Sequence, residues 1–178
     1  AQLNGFDTMV KLTKDARIAV IEGDEYLASP IDRRPKFHLY HPDIAIISGI
    51  AWDHINVFPT FANYVEQFRI FCDLIVPNGK LVYCEMDPEV KKLGTSLRSD
   101  ITGIPYGIPA HTIENGITSL TTGVAPCALK VFGDHNLMNI NGARLVCREL
   151  GITDEQFYTA ISSFKGAAKR LELVAMNA

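Results

Sequence analysis

The chain has 178 residues, 47% hydrophobic and 21% charged, with 17 basic against 20 acidic side chains and a net charge of −3. That balance fits one soluble globular domain with a real core and excludes a disordered chain. The acidic excess disfavours a general nucleic-acid binder, no apolar run approaches the roughly 20 residues of a bilayer span, and Ala1 to Gly5 carry no secretory signal.

In chain order, Ile18-Ala19-Val20-Ile21 is a β-branched run stopped by Glu22-Gly23-Asp24-Glu25, and Ile44-Ala45-Ile46-Ile47 is a second, stopped by Ser48-Gly49. Lys80-Leu81-Val82-Tyr83-Cys84 is a third. Short runs apolar on both faces predict strands buried in a parallel sheet. Between the second and third, Phe61, Tyr64, Val65, Phe68, Phe71, Cys72 and Ile75 fall on one helical stripe, which predicts a right-handed strand–helix–strand crossover.

The texture changes after about Thr95. Ile104-Pro105-Tyr106-Gly107-Ile108-Pro109 cannot be helical, and Asn115-Gly116 between Thr112-Ile113 and Ile117-Thr118 predicts a hairpin turn. With Ala128-Leu129-Lys130-Val131-Phe132 this suggests a small antiparallel layer. Two helices follow. The first starts near Asn136, carries Leu137, Ile140, Val146 and Leu150, and stops at Gly151. The second opens on Thr153-Asp154-Glu155-Gln156, a capping-box pattern, and carries Phe157, Ala160, Ile161 and Phe164.

The expected fold is α/β, a three-layer sandwich with a mainly parallel sheet plus a small antiparallel sheet. Both ends read as cut: the first strand is preceded only by Gly5 to Arg17, and Leu171-Glu172-Leu173-Val174 resembles a strand whose partners are missing. Cys72, Cys84, Cys127 and Cys147 lie among apolar neighbours with no two-residue spacing, which predicts buried reduced thiols in a reducing, cytoplasmic setting.

Four segments could do chemistry. Glu22, with Asp24 and Glu25, follows the first expected strand; a carboxylate at a strand's carboxyl end suits a hydrated magnesium ion, and equally an ordinary acidic loop. Trp52-Asp53-His54-Ile55-Asn56 follows the second strand and reaches the same sheet edge if the two strands are neighbours. In Gly133-Asp134-His135-Asn136-Leu137-Met138-Asn139, the two asparagines share one face of a helix's first turn and can offer donor and acceptor to a purine edge, or Asn136 simply caps the helix. In Phe164-Lys165-Gly166-Ala167-Ala168-Lys169-Arg170-Leu171-Glu172, Arg170 can fork onto a phosphate or belong to a solvated basic turn.

In this order the four segments resemble the Mur ligases, which use ATP to join an amino acid or peptide to a UDP-sugar carboxylate. The family pattern runs E-A-D-E, D-H-x-D, G-x-H-N-x-x-N and F-x-G-x-x-R-R-x-E, and the match covers nearly the whole chain. The resemblance implies a partial central ATP-binding domain over residues 1–170, with 171–178 opening the linker or strand into a C-terminal domain. It implies that Glu22 and His54 hold Mg2+ and act in catalysis, that His135, Asn136 and Asn139 belong to the ATP adenine site, and that Arg170 approaches the phosphates.

Asp24-Glu25-Tyr26 and then Asp32-Arg33-Arg34-Pro35-Lys36-Phe37 make a longer connection than in the branch that adds L-alanine to UDP-N-acetylmuramate. That connection is similar to the murein peptide ligase branch, whose amine substrate is the tripeptide L-alanyl-γ-D-glutamyl-meso-diaminopimelate. Arg33, Arg34 and Lys36 then stand as candidates for its carboxylates, or as a basic surface loop.

Several residues depart from the family pattern. Gly23 replaces Ala, Asn56 stands where Asp is common, Lys169 replaces the first Arg of its pair, and Val65-Glu66-Gln67-Phe68-Arg69 holds no lysine for carbamylation. No G-x-x-x-x-G-K-[ST] occurs, so the isolated chain is expected not to turn over. The UDP-sugar and amine would be held by domains outside these residues. Rival readings are the L-alanine branch, a non-catalytic nucleotide-binding or assembly module on the same scaffold, and a metal-dependent hydrolase using Glu22, Asp53 and His54.

Overall fold

The structure, a computed structural model, describes residues 10–166 except 12 and 124. β1 (Ile44–Ile47), α1 (Phe61–Asp73), β2 (Lys80–Cys84), α2 (Pro88–Thr95) and β3 (Thr102–Tyr106) alternate along the chain. The three strands pair in parallel in the order β1-β2-β3, with Ile46, Val82 and Ile104 in one row and Ala45, Leu81 and Gly103 in the next. Successive strand side chains point to opposite faces, so each row meets a different layer.

On one face Tyr83 lies against Gly94 of α2, and α2 packs against α1. On the other, Ile46 and Tyr106 close on Gly142 of α3 (Asp134–Glu149), and Cys84 meets Met138 at 3.8 Å. The expected three layers are therefore present. Leu81 and Val82 are fully buried between them, each adding on the order of 1.5–3 kcal/mol of apolar burial.

The local sequence explains the ends of these elements. Thr60 caps α1 by accepting from the Asn63 N–H at 3.1 Å. Asp87 caps α2 through the Glu89 and Val90 N–H groups, with Pro88 in the first helical turn. The other Asp87 oxygen accepts from the Ile50 N–H at 2.8 Å, tying the loop after β1 to the end of β2.

The second sheet joins β4 (His111–Glu114), β5 (Ile117–Leu120) and β6 (Cys127–Ala128), all antiparallel. Its hairpin turns on Asn115 and Gly116, both at positive φ (50° and 77°), as the Asn-Gly pair predicts. α4 (Asp154–Ile161) opens with the expected capping box between Thr153 and Gln156. All four cysteines are free thiols, three of them buried, and burial pushes Cys72 up to about 12.

The structure departs from the sequence reading in five places. Residues 18–21 form no strand: Ile18, Val20 and Ile21 are 56–91% exposed, since an apolar run becomes a strand only when a ladder partner covers it. α2 and β3 were not anticipated. β3 carries Pro105, which an edge strand tolerates. The expected strand over residues 128–132 shrinks to Cys127–Ala128, because Leu129 and Val131 turn inward to pack with Leu137, Ile140 and Phe157. α3 begins at Asp134 rather than near Asn136, since Gly133 at φ 87° makes the sharp entry. Residues 171–174, read as an unpartnered strand, lie outside the described residues.

A Cβ on Gly94 would sit 2.5 Å from the buried Tyr83 ring. Gly94→Ala is therefore expected to lose about 1–3 kcal/mol through overpacking, despite the better helix propensity of Ala. A thermal melt no lower than that of the parent chain would contradict the close α2–sheet packing.

Candidate functional site at the carboxyl edge of the parallel sheet

Parallel strands deliver their carboxyl ends to one edge, where ligands of open α/β sheets bind. The loop after β1 reaches that edge as Trp52-Asp53-His54. Trp52 Nε1 donates to the Phe58 carbonyl at 3.0 Å, and the His54 carbonyl accepts from the Val57 and Phe58 N–H groups at 2.7 and 2.9 Å. The Asp53 carboxylate accepts from the His54 N–H at 2.6 Å. This tight turn holds His54 in the left-handed region, at φ 52°. Asn56 is exposed on the same turn.

The acidic segment before β1 meets this turn as part of a folded hairpin. Ala28 N–H donates to the Arg34 carbonyl, Lys36 N–H to Tyr26 and Phe37 N–H to Asp24, at 2.8–3.2 Å. The Lys36 ammonium clamps the base at 2.5 Å from the Asp24 carboxylate and holds that carboxyl below its ordinary range. Phe37, 2% exposed, wedges against Phe68 and Phe71 of α1, and the His38 Nε2 lies 2.8 Å from the Gln67 carbonyl. The hairpin is thereby pinned to α1.

Docking brings Glu25 Oε1 to 3.5 Å from His54 Nε2, while the Tyr26 ring packs on the imidazole at a centroid distance of 4.9 Å. Tyr64 of α1 is 3% exposed, and burial, followed by the Glu25 charge, pushes its phenol up to about 12. Glu22 lies exposed at the hairpin's entrance, its carbonyl accepting from the Asp24 N–H at 3.1 Å. The imidazole's carboxylate neighbours are thus Glu25 and, at 4.0 Å, Asp53.

Sequence reasoning gave Tyr64 to the apolar stripe and singled out Glu22. The missed signal was a phenol in a buried stripe, which needs a polar partner. Among the described residues no three His, Cys, Asp or Glu side chains gather to cage an ion. A pair of donors open to water still suits a magnesium ion that keeps most of its waters.

α3 brings the asparagines to this edge. Its last residues lie at the start of β2, where Glu149 pairs with Lys80, and its first turns at the end of β2, where Met138 meets Cys84. The helix runs antiparallel to the strands, so its N-terminus faces the edge that carries His54. Asn136 does not cap it: its amide donates back to the Phe132 carbonyl at 2.8 Å, leaving the side-chain oxygen as an acceptor. Asn139 is exposed with its amide uncommitted among the described residues, and His135 is exposed beside Gly133. Arg170 lies outside the described residues.

The three basic candidates of the hairpin differ. Arg34 forks onto Asp32 (Nε–Oδ1 3.0 Å, Nη2–Oδ2 2.7 Å) and Lys36 is held by Asp24. Arg33 is exposed and makes no ion pair with another described residue.

The model of the Mur ligase middle domain matches residues 3–147. Among curated proteins, the UDP-N-acetylmuramate--L-alanine ligase of Frankia casuarinae is 28% identical over 182 residues, covering 88% of this chain and 35% of its own. The protein of the same name from Mycolicibacterium vanbaalenii is 30% identical over 169 residues, covering 85% and 35%. The chain therefore spans about a third of the length of these curated relatives.

Among solved structures, MurF from Acinetobacter baumannii superposes with a TM-score of 0.65 at 17% identity, over 79% of this chain and 33% of that one. The UDP-N-acetylmuramate:L-alanyl-gamma-D-glutamyl-meso-diaminopimelate ligase from Neisseria meningitides gives 0.63 at 21% identity, over 83% and 48%. MurF from Thermotoga maritima in complex with ADP gives 0.60 at 20%, over 74% and 32%. These likenesses show the shared fold.

The Arg34 guanidinium holds the Asp32 carboxyl down at about 2. A depressed folded value means the pair's contribution is present above the ordinary carboxylate range and lost as pH falls through about 2; it is small because the pair is exposed. Arg34→Ala is expected to raise the Asp32 titration, followed by carboxyl NMR, toward the ordinary carboxylate range but short of it, because the residue-34 N–H still donates to Asp32. An unmoved titration would mean Arg34 is free for other anions.

Proposed function

The chain belongs to the Mur ligase family, whose middle-domain model covers residues 3–147, and we propose from that premise that it is the later part of an ATP-dependent amide ligase's nucleotide-binding domain. The observation that supports this reading is one of direction: the acidic hairpin touches His54 at the carboxyl edge of the sheet, and α3 points its asparagine-bearing start toward the same edge. A metal-dependent hydrolase would leave Asn136 and Asn139 without a purpose.

In this proposal Glu22 and His54 hold magnesium, which when bound neutralises charge on the transferring phosphoryl group. Asn136 offers its side-chain oxygen and Asn139 its whole amide to the adenine edge, with His135 beside them. Arg170 approaches the phosphates. The UDP-N-acetylmuramate carboxylate is activated as an acyl phosphate, the incoming amine attacks its carbonyl, and phosphate departs.

For the amine we propose the tripeptide L-alanyl-γ-D-glutamyl-meso-diaminopimelate, the murein peptide of cell-wall recycling. Support comes from the length of the connection between Glu22 and Pro42, which folds as an ordered hairpin rather than a trailing loop. Arg33 is its one basic candidate not already matched to an acid within the hairpin, so the charge argument rests on Arg33. L-alanine is the second reading, favoured by the names of the curated relatives. The setting proposed is the cytoplasm, where these nucleotide substrates would be met; among the described residues no helix is long and apolar enough to cross a membrane.

The test is phosphate release by the full-length protein with UDP-N-acetylmuramate and either amine. Tripeptide-dependent release is expected, and a preference for L-alanine would overturn the choice of branch. His54→Asn, which tolerates the positive φ, is expected to lower kcat on the order of 100-fold. Asn139→Ala is expected to weaken ATP binding about tenfold, the worth of one good hydrogen bond. The 178 residues alone are expected not to turn over. No release with either amine would favour a non-catalytic nucleotide-binding or assembly module.

A further inference from the structure

The loop from β1 to α1 carries Trp52, Asp53 and His54 out over the carboxyl edge of the sheet, and much of its bonding is internal. Trp52 Nε1 reaches the Phe58 carbonyl, Asp53 accepts from the next N–H, and the His54 carbonyl takes the Val57 and Phe58 N–H groups. Such bonds shape a turn without setting where it sits on the sheet. Among the described residues 48–57 only Ile50 is buried, at 6% exposure, and a backbone N–H in that position needs a partner. The partner is Asp87 Oδ2, at 2.8 Å. The other oxygen, Oδ1, accepts from the Glu89 and Val90 N–H groups at 2.9 and 3.0 Å and so caps α2. Asparagine or serine would cap that helix as well. Aspartate adds a second acceptor atom, and here it is spent across the gap on Ile50.

We infer that Asp87 is a positioning residue for His54: one carboxylate fastens the His54-bearing loop to the start of α2 and thereby sets where the loop stands over the sheet edge. The carboxylate is itself well anchored. It follows the end of β2, the N-terminus of α2 favours its negative charge, and its own backbone carbonyl takes the Lys91 N–H at 2.9 Å. His54 lies four positions beyond Ile50, so a loop released at Ile50 shifts the imidazole relative to Glu25 and Tyr26 of the docked hairpin. The inference rests on the reading of His54 as a group that acts at this edge.

Two substitutions separate the roles of the two oxygens. Asp87→Asn and Asp87→Ser each keep one acceptor for α2, and neither can accept on both sides. In the 178-residue chain, amide hydrogen exchange at Ile50 is expected to rise about tenfold, the loss of one charge-assisted hydrogen bond. Exchange at Val57 and Phe58, whose N–H groups report the His54 turn, is expected to rise with it. The Lys91 N–H is expected to stay protected, which shows that α2 survives. In the full-length protein, kcat for phosphate release is expected to fall on the order of tenfold, with the KM for ATP within about twofold of the parent. Gly94→Ala loosens α2 without touching Asp87 and is expected to leave kcat unchanged.

Val57 and Phe58 amides that exchange no faster in either variant would overturn the inference. So would an unchanged kcat in both Asp87 variants, or a kcat loss that Gly94→Ala reproduces. The exchange measurement uses no nucleotide, metal or substrate. A parent protein that releases no phosphate with either amine therefore defeats the ligase reading, while exchange at Val57 and Phe58 still decides whether Asp87 holds the His54 turn.

Discussion

At the centre of β2, Leu81 and Val82 are sealed from water, and the strand is laddered to a parallel neighbour on each side. Because the ladder is parallel, every loop that follows a strand emerges at the same rim. Because α3 crosses back antiparallel, held by Gly142 against Ile46 and Tyr106, its N-terminus arrives at that rim too. The candidate site is therefore a product of strand direction: reversing any one of these elements would carry its polar residues to the far side of the sheet.

Strand direction brings the groups to one rim, and side-chain packing fixes their spacing. The hairpin before β1 is attached through one deeply inserted ring, Phe37, together with the His38 contact to the Gln67 carbonyl. Most of its charges are satisfied internally, Lys36 by Asp24 and Arg34 by Asp32. Such pairs stabilise only slightly in water. They do determine which charges remain available, leaving Arg33 outward and Glu25 turned toward the imidazole. The hairpin is thus a frame for a few groups rather than a broad basic surface.

Much of this was legible in the sequence where a local rule has a single outcome. Asn115-Gly116 could only turn, Thr153 with Gln156 could cap, and the stripe from Phe61 to Ile75 had one period. The failures arose where the outcome depends on residues far along the chain. Residues 18–21 have the composition of a strand, but composition does not supply a ladder partner. α2 was overlooked although Asp87-Pro88 is a strong helix opening, because its eight residues are too short to show a period. At the candidate site, the motif spacing singles out His54 and the paired asparagines as candidates. The neighbours of His54 could not be read so directly, since Glu25 and Tyr26 come from the hairpin before β1 and meet the ring only once that hairpin has docked.

The exposed run at 18–21 has a practical consequence for solution behaviour. β1 is laddered on one side only among the described residues, and the same chain carries a solvent-facing stretch of Ile, Ala, Val and Ile. An open strand edge and an uncovered β-branched segment are complementary, so one molecule can cap another, and repetition of that contact is the first step of aggregation. Arg17 and Glu22, flanking the stretch, are gatekeeper charges that oppose such stacking.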